Sequence, residues 1–262
     1  MSNIRFFLDY FKHYLTSNSR HGVHSPFVYN LIDSVIYDFS TKEYIQPIEE
    51  LRNQLKRDTR TLRITDLGAG SMLNNGKIKR ISSLAKNALK PPRVAKLIAR
   101  LANEFKPESI VELGTCLGIT TLYLSKASTS SRIITVEGCP ETSKIARENF
   151  QRLNANNIET RTGNFDNMFP EIVEELPRID FLFIDGNHRK DATLKYFYDS
   201  LPKVHNGSIL IFDDIYWSEG MKEAWHEIKN HPQVTVTIDL FYIGLVFFKS
   251  DQVKEDFRVR FR

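Results

Sequence analysis

Cysteine, glycine and proline are all scarce, and each scarcity removes a class of protein. Two cysteines in 262 residues cannot build a disulfide framework, so the chain is not a stapled secreted scaffold. Gly 12 and Pro 10, with no internal repeat or low-complexity tract, exclude fibrous and linker-like chains. No block of five like charges occurs, and 36 basic against 32 acidic residues leave a net charge of only +4. No nucleic-acid partner and no anionic membrane partner is therefore expected. The longest apolar pieces, such as 208–212 and 244–248, fall far short of the roughly 18 to 20 residues that span a bilayer. The opening MSNIRFFLDYFKHYL interrupts its apolar residues with Arg5, Asp9 and Lys12 at helical spacing. That pattern suits an amphipathic helix better than a secretory signal, and a cytoplasmic location is expected.

What is present is an ordinary globular composition, 41% hydrophobic and 26% charged, which excludes disorder as the dominant state. From about residue 107 the chain alternates short apolar segments with helical ones. The segments 109–113, 132–136, 157–161, 180–184 and 207–212 read as strands, and 120–126, 141–153, 191–201 and 220–229 as helices. Such alternation implies right-handed crossovers and a parallel sheet covered on both faces. The last two strands, 234–239 and 243–249, are joined by a short turn near Phe241 and predict an antiparallel hairpin at one edge. Residues 1–90 lack this rhythm: helices at 4–15 and 26–37, a polar link over 46–60 and an isolated strand-turn at 62–71. They are expected to be a mainly helical accessory region on a core of 91–262, with Pro91-Pro92 marking the boundary.

Two strand-then-glycine turns compete for a nucleotide: Thr65-Asp-Leu-Gly-Ala-Gly-Ser71 and Val111-Glu-Leu-Gly-Thr-Cys-Leu-Gly118. A nucleotide half-site needs a helix opening at the loop and a second strand ending in a carboxylate about 20 residues on, which bonds the ribose diol. Only the second turn meets this, because Glu137 follows Gly118 by 19 residues. The first reads as a structural turn. The second spaces its glycines G-x-x-x-G, without the middle glycine that a pyrophosphate requires. Glu112 would also repel a pyrophosphate, whereas S-adenosylmethionine has no phosphate and carries a cationic amino group and sulfonium.

Five segments carry a family resemblance: Glu112-Leu-Gly-Thr-Cys-Leu-Gly118, Thr135-Val-Glu137-Gly, Thr162-Gly-Asn164-Phe, Phe183-Ile-Asp185-Gly-Asn-His188 and Ile211-Phe-Asp213-Asp214. In this order they make residues 107–249 resemble the class I S-adenosylmethionine-dependent methyltransferases, and within them the catechol-type O-methyltransferases. The resemblance implies an α/β, Rossmann-like sheet of seven strands, mostly parallel with an antiparallel last strand, plus a helical N-terminal extension. It extends to uncharacterised bacterial methyltransferase-like proteins that carry His21-Gly-Val-His-Ser-Pro-Phe27, and it supplies no role for that segment. Neither His21 and His24 nor any cysteine pairing has a zinc-ligand spacing.

Ligands of open parallel sheets lie over the carboxyl ends of the strands, where these motifs fall. Gly114 and Gly118 are expected to line the methionine part of the cofactor, with Glu112, Thr115 and Cys116 in the same loop. Glu137 would bond the ribose, and Gly163, Asn164 and Phe165 would face the adenine. Methyl transfer needs in-line positioning and a deprotonated acceptor. Asp185, which belongs to both the cofactor and the catalytic set, converges with Asp213 and Asp214, and three such carboxylates suit Mg²⁺, which would lower the pKa of an acceptor hydroxyl. By resemblance these are the metal-ligand positions, although the family commonly has Asn where Asp214 stands; one of the pair capping the next helix is the alternative. His188 falls where the family has its catalytic lysine and is the candidate base, its alternatives being a helix cap or a bond to its neighbouring carboxylate. Tyr216, Trp217 and Trp225 either wall an acceptor pocket or belong to the core. Cys116 and Cys139 follow adjacent strands, which would bring their thiols near each other.

The resemblance implies O-methylation of a small-molecule hydroxyl, with the N-terminal region forming part of the acceptor pocket or a homodimer contact. A NAD-dependent oxidoreductase and a non-catalytic Rossmann-like binding module are the rival readings.

Overall fold

Strand Ser109–Leu113 (β3) is buried along its whole length, which is what a strand flanked on both faces requires and why SIVEL lacks the polar-apolar alternation of a half-exposed strand. In this computed structural model, residues 3–65 and 77–261 are described. Their contacts divide the chain into two units, one of residues 39–171, the other joining the residues up to Asp38 with those from Ile172 on. The first ninety residues are thus shared between the two units. The turn read at 66–71 lies outside the described residues.

The first unit opens with a helix at Ile45–Leu55, where the sequence reading expects only a polar link. Its apolar residues Ile48, Leu51 and Leu55 recur on one face and are buried. Pro47 is tolerated because first-turn N–H groups have no intrahelical acceptor. Calling earlier helices α1 (Asn3–Thr16) and α2 (Pro26–Leu31), this one is α3. A two-stranded antiparallel hairpin follows, β1 (Thr61–Ile64) with β2 (Lys77–Arg80), then α4 (Ile81–Asn87) and α5 (Pro92–Phe105). Next come β3, α6 (Ile119–Ala127), β4 (Arg132–Glu137), α7 (Pro140–Arg152) and β5 (Ile158–Thr162). Strands β3, β4 and β5 are parallel, with Leu113 opposite Val136 and Val136 opposite Arg161. One core is shared by Ile48 and Leu51 of α3, Ile81 of α4, Ala95 and Ala99 of α5, Leu122 of α6 and Phe150 of α7. Each buried Leu, Ile or Phe there contributes roughly 1.5–3 kcal/mol, so residues 39–90 are bound to this unit by their apolar faces.

A helix at Phe165–Glu175 (α8), within which the division between units falls, was not expected. The second unit holds β6 (Ile179–Ile184), α9 (Lys190–Ser200), β7 (Val204–Asp213), α10 (Glu219–Asn230), β8 (Val236–Asp239), β9 (Ile243–Phe247) and β10 (Glu255–Arg258). Strands β6 and β7 are parallel, β9 is antiparallel to both β7 and β8, and β10 adds parallel to β8. The architecture is α/β, Rossmann-like and mostly parallel, as expected. The expected antiparallel hairpin is β8 with β9. Two details are corrected: the main sheet has an eighth strand, β10, beyond the expected seven, and the antiparallel strand, β9, is therefore the penultimate one rather than the last, inserted between β7 and β8. Gly244 makes that insertion fit, since a Cβ there would lie 2.6 Å from the indole of Trp225 on α10. Among the described residues no helix is long and apolar enough to cross a membrane.

Candidate functional site

In the first unit the turn after β3 is a chain of left-handed residues, Gly114 at φ +112°, Cys116 at +50° and Gly118 at +78°. The N–H groups of Gly114 and Thr115 donate to the Val136 carbonyl at 3.0 and 3.2 Å. Glu137, half-buried at the end of β4, accepts the Cys116 N–H at 2.7 Å with one oxygen and the Cys139 N–H at 2.9 Å with the other. Its carbonyl accepts the Gly163 N–H at 3.0 Å, so one residue ties together the ends of β3, β4 and β5. These bonds fix the Glu137 carboxylate beside the turn that follows β3.

Two neighbours have packing partners of their own. Glu112 is fully buried and accepts the hydroxyls of Thr121 and Thr135, the latter at 2.6 Å, while Thr115 and Thr135 hydroxyls are 2.6 Å apart. This network ties β3, β4 and α6 beneath the turn. Gly118 turns its α-carbon to α7, where a Cβ would sit 2.4 Å from Phe150 Cε1. Gly118→Ala therefore combines left-handed strain with overpacking against a buried ring and should cost about 2–4 kcal/mol, read by urea unfolding; a change below about 0.5 kcal/mol would remove this account of the glycine. Gly163 faces Met168, and the Asn164 side-chain oxygen accepts the Asp166 N–H at 2.9 Å, capping α8 and presenting Phe165 as its first residue. Both cysteines are free.

In the second unit, Asp185 and His188 follow β6, and Asp213 ends β7. One ligand atom from each of Asp185, His188 and Asp213 lies within 4.8 Å of the others. Of the expected trio, Asp185 and Asp213 are brought together, whereas the Asp214 carboxylate lies beside His188, 3.8 Å from Nε2. Asp214 itself is left-handed at φ +53°, held by its N–H donating to the Tyr242 carbonyl at 2.7 Å. Ser218 caps α10 through the Met221 N–H, so the Asp pair is not the cap. His188 does not cap α9 either, because the cap position is Arg189, and its Nε2 is 3.9 Å from Asp185, beyond hydrogen-bond length. Donors on one cation at about 2.1 Å lie at most about 4.2 Å apart, so Asp185 and Asp213 would hold a divalent cation only with their carboxylates drawn together, with the His188 imidazole beside them.

Of the three aromatics, only Trp217 has an exposed face. Tyr216 stacks on Phe241 at 4.7 Å between ring centroids and donates its hydroxyl to Asp239 at 2.7 Å; burial, then Asp239, pushes its pKa up. Trp225 is buried against Gly244.

The sequence reading missed a further partner, His13, 226 positions from Asp239. Its Nε2 lies 3.0 Å from the Asp239 carboxylate, both side chains about 95% buried. Burial alone would raise the Asp239 pKa, but His13, the Tyr216 hydroxyl and the Phe241 N–H outweigh it and hold the carboxyl below its ordinary value.

Residues 111–215 match a family described as methyltransferase domain. The match covers less than half of the chain. It contains every candidate binding and catalytic residue, from Glu112 to Asp214. A catechol O-methyltransferase of Niastella koreensis is 29% identical over 127 residues, covering 47% of this chain and 57% of the relative. A catechol O-methyltransferase of Mycobacterium tuberculosis is 26% identical over 145 residues, covering 52% and 64%. The matches thus span less than two thirds of each relative. An O-methyltransferase from Bacillus cereus, solved in complex with SAH (S-adenosylhomocysteine), superposes with a TM-score of 0.55 at 20% identity, over 80% of this chain and 93% of that one. At this identity the likeness is one of fold.

Proposed function

We propose that the protein transfers a methyl group from S-adenosylmethionine to a hydroxyl of a small-molecule acceptor. What carries this reading is that the matched segment, 111–215, brackets the whole set of site residues in both units. The donor is assigned to the turn Gly114–Gly118, with Glu137 on its ribose and Gly163, Asn164 and Phe165 on its adenine; Glu112 supports the turn through Thr121 and Thr135. The acceptor is assigned to Asp185, His188 and Asp213, with Asp214 beside His188.

S-adenosylmethionine supplies an electrophilic methyl on a sulfonium, so no covalent enzyme intermediate is needed. The chain's task is to hold the acceptor oxygen in line and remove its proton. Asp185 and Asp213 would hold a divalent cation such as Mg²⁺, whose charge lowers the pKa of a bound hydroxyl. His188, 26% exposed and flanked by two carboxylates at 3.8 and 3.9 Å, would take the proton. A cytoplasmic location belongs to the same reading, consistent with free thiols at Cys116 and Cys139.

The test is transfer of labelled methyl from S-adenosylmethionine to a panel of catechols and other phenols, with and without EDTA. Transfer that EDTA abolishes and Mg²⁺ restores is expected. Transfer indifferent to EDTA would remove the cation, and binding of the donor with no transfer to any hydroxyl would remove the reaction.

A further inference from the structure

Helix α1 has two apolar faces, and only one is used within the chain. Phe6 and Tyr10 pack edge-on to Phe241 at 5.1 and 5.0 Å, His13 meets Asp239, and Asp9 pairs with Lys222 at 2.8 Å. The helix is therefore docked. On its outer side Ile4, Phe7, Leu8, Phe11 and Leu15 are 72, 67, 60, 52 and 64% exposed, and no described residue covers them.

We propose that this face is the interface of a homodimer in which α1 pairs antiparallel with α1 of a second copy about a two-fold axis. Three observations select that occupant. First, Ile4, Leu8, Phe11 and Leu15 are spaced by four, three and four residues, the seam of a helix that packs along another helix. Secondly, five side chains this large expose on the order of 700 Å², above the usual largest patch of a monomer and close to what each partner brings to a standard dimer. Thirdly, the seam is self-complementary in the antiparallel sense, as an isologous contact must be. Ile4 then meets the partner's Leu15 and Leu8 meets the partner's Phe11, while Lys12 lies alongside the partner's Phe7, where a cation over a ring is favourable. A parallel pairing would oppose Lys12 to Lys12. A lipid surface is the weaker occupant, because such helices carry a basic polar face. Here the flanking cations are Arg5, paired with Glu219 at 2.7 Å, and Lys12, with Asp9 between them.

Sedimentation velocity on the full chain across the micromolar range tests this independently of the proposed reaction. The wild type should sediment as a dimer. Leu8→Glu and Phe11→Glu, each with unchanged circular dichroism and melting temperature, should weaken dimerisation roughly 30-fold or more, and Leu8→Ala less. Mixing Leu8→Cys with Phe11→Cys should give a cross-linked dimer under mild oxidation that neither gives alone. A wild type monomeric at the highest concentration overturns the proposal, as does a dimer indifferent to both glutamates. Monomers that bind vesicles of phosphatidylcholine and phosphatidylglycerol would overturn it in favour of a lipid surface.

Discussion

His188→Ala lowers kcat by about 10² to 10⁴, the usual contribution of a positioned general base, and leaves the affinity for SAH unchanged. The expectation rests on where the ring is held. Its Nε2 is too far from either Asp185 or Asp214 to be consumed in a hydrogen bond, at 3.9 and 3.8 Å, yet it is close enough for both carboxylates to stabilise the imidazolium that forms. Nor does the residue cap α9. A role confined to local structure would move stability and not the split between kcat and cofactor affinity. Full activity in the variant would remove His188 as the base and leave proton removal to Asp185, Asp214 or solvent.

Asp239→Asn should cost about 1–3 kcal/mol of stability, the range for leaving a buried donor without its charged acceptor. Asp239 is 4% exposed and gathers three elements: His13 of α1, Tyr216 after β7, and the Phe241 N–H in the β8–β9 turn. The amide is isosteric but uncharged, and its nitrogen cannot accept a bond as a carboxylate oxygen does. Because the folded-state pKa of Asp239 lies below the ordinary 3.8, the unfolded state binds the proton first as pH falls. The stabilisation is therefore complete above the ordinary value and is lost as pH drops through the folded one. Urea unfolding of wild type and variant should differ most at neutral pH and converge in acid below about pH 4. Equal stability at pH 7 would mean that the pair only offsets its own desolvation.

The parts of the fold that were legible are those whose residues answer to a single local requirement. Strands β3 and β6 are buried throughout, so their sequences are mostly apolar, and α6, α7, α9 and α10 alternate with the strands at crossover spacing. Helix α3 was illegible because IQPIEELRNQL is mostly polar and carries a proline as its third residue. Helix α8 hides behind Pro170, an interior position that normally argues against a helix. Strand β10, EDFR, is a short charged edge strand, and charge at an edge is what prevents further pairing. In the site, the distance from Gly118 to Glu137 was readable because it is set by one helix and one strand. That Gly118 is required by Phe150 was not, since the contact is made by a helix whose approach no local pattern encodes. His13 is further still from legibility, because its partner is at the other end of the chain.

The donor assignment is the claim on which the rest depends, and isothermal titration with SAH tests it most directly. The wild type should bind SAH, and Glu137→Ala should bind it roughly 10- to 100-fold more weakly, the loss of charged hydrogen bonds worth about 1–3 kcal/mol. No binding of SAH or S-adenosylmethionine by the folded wild type, or binding of NAD in their place, would contradict the account.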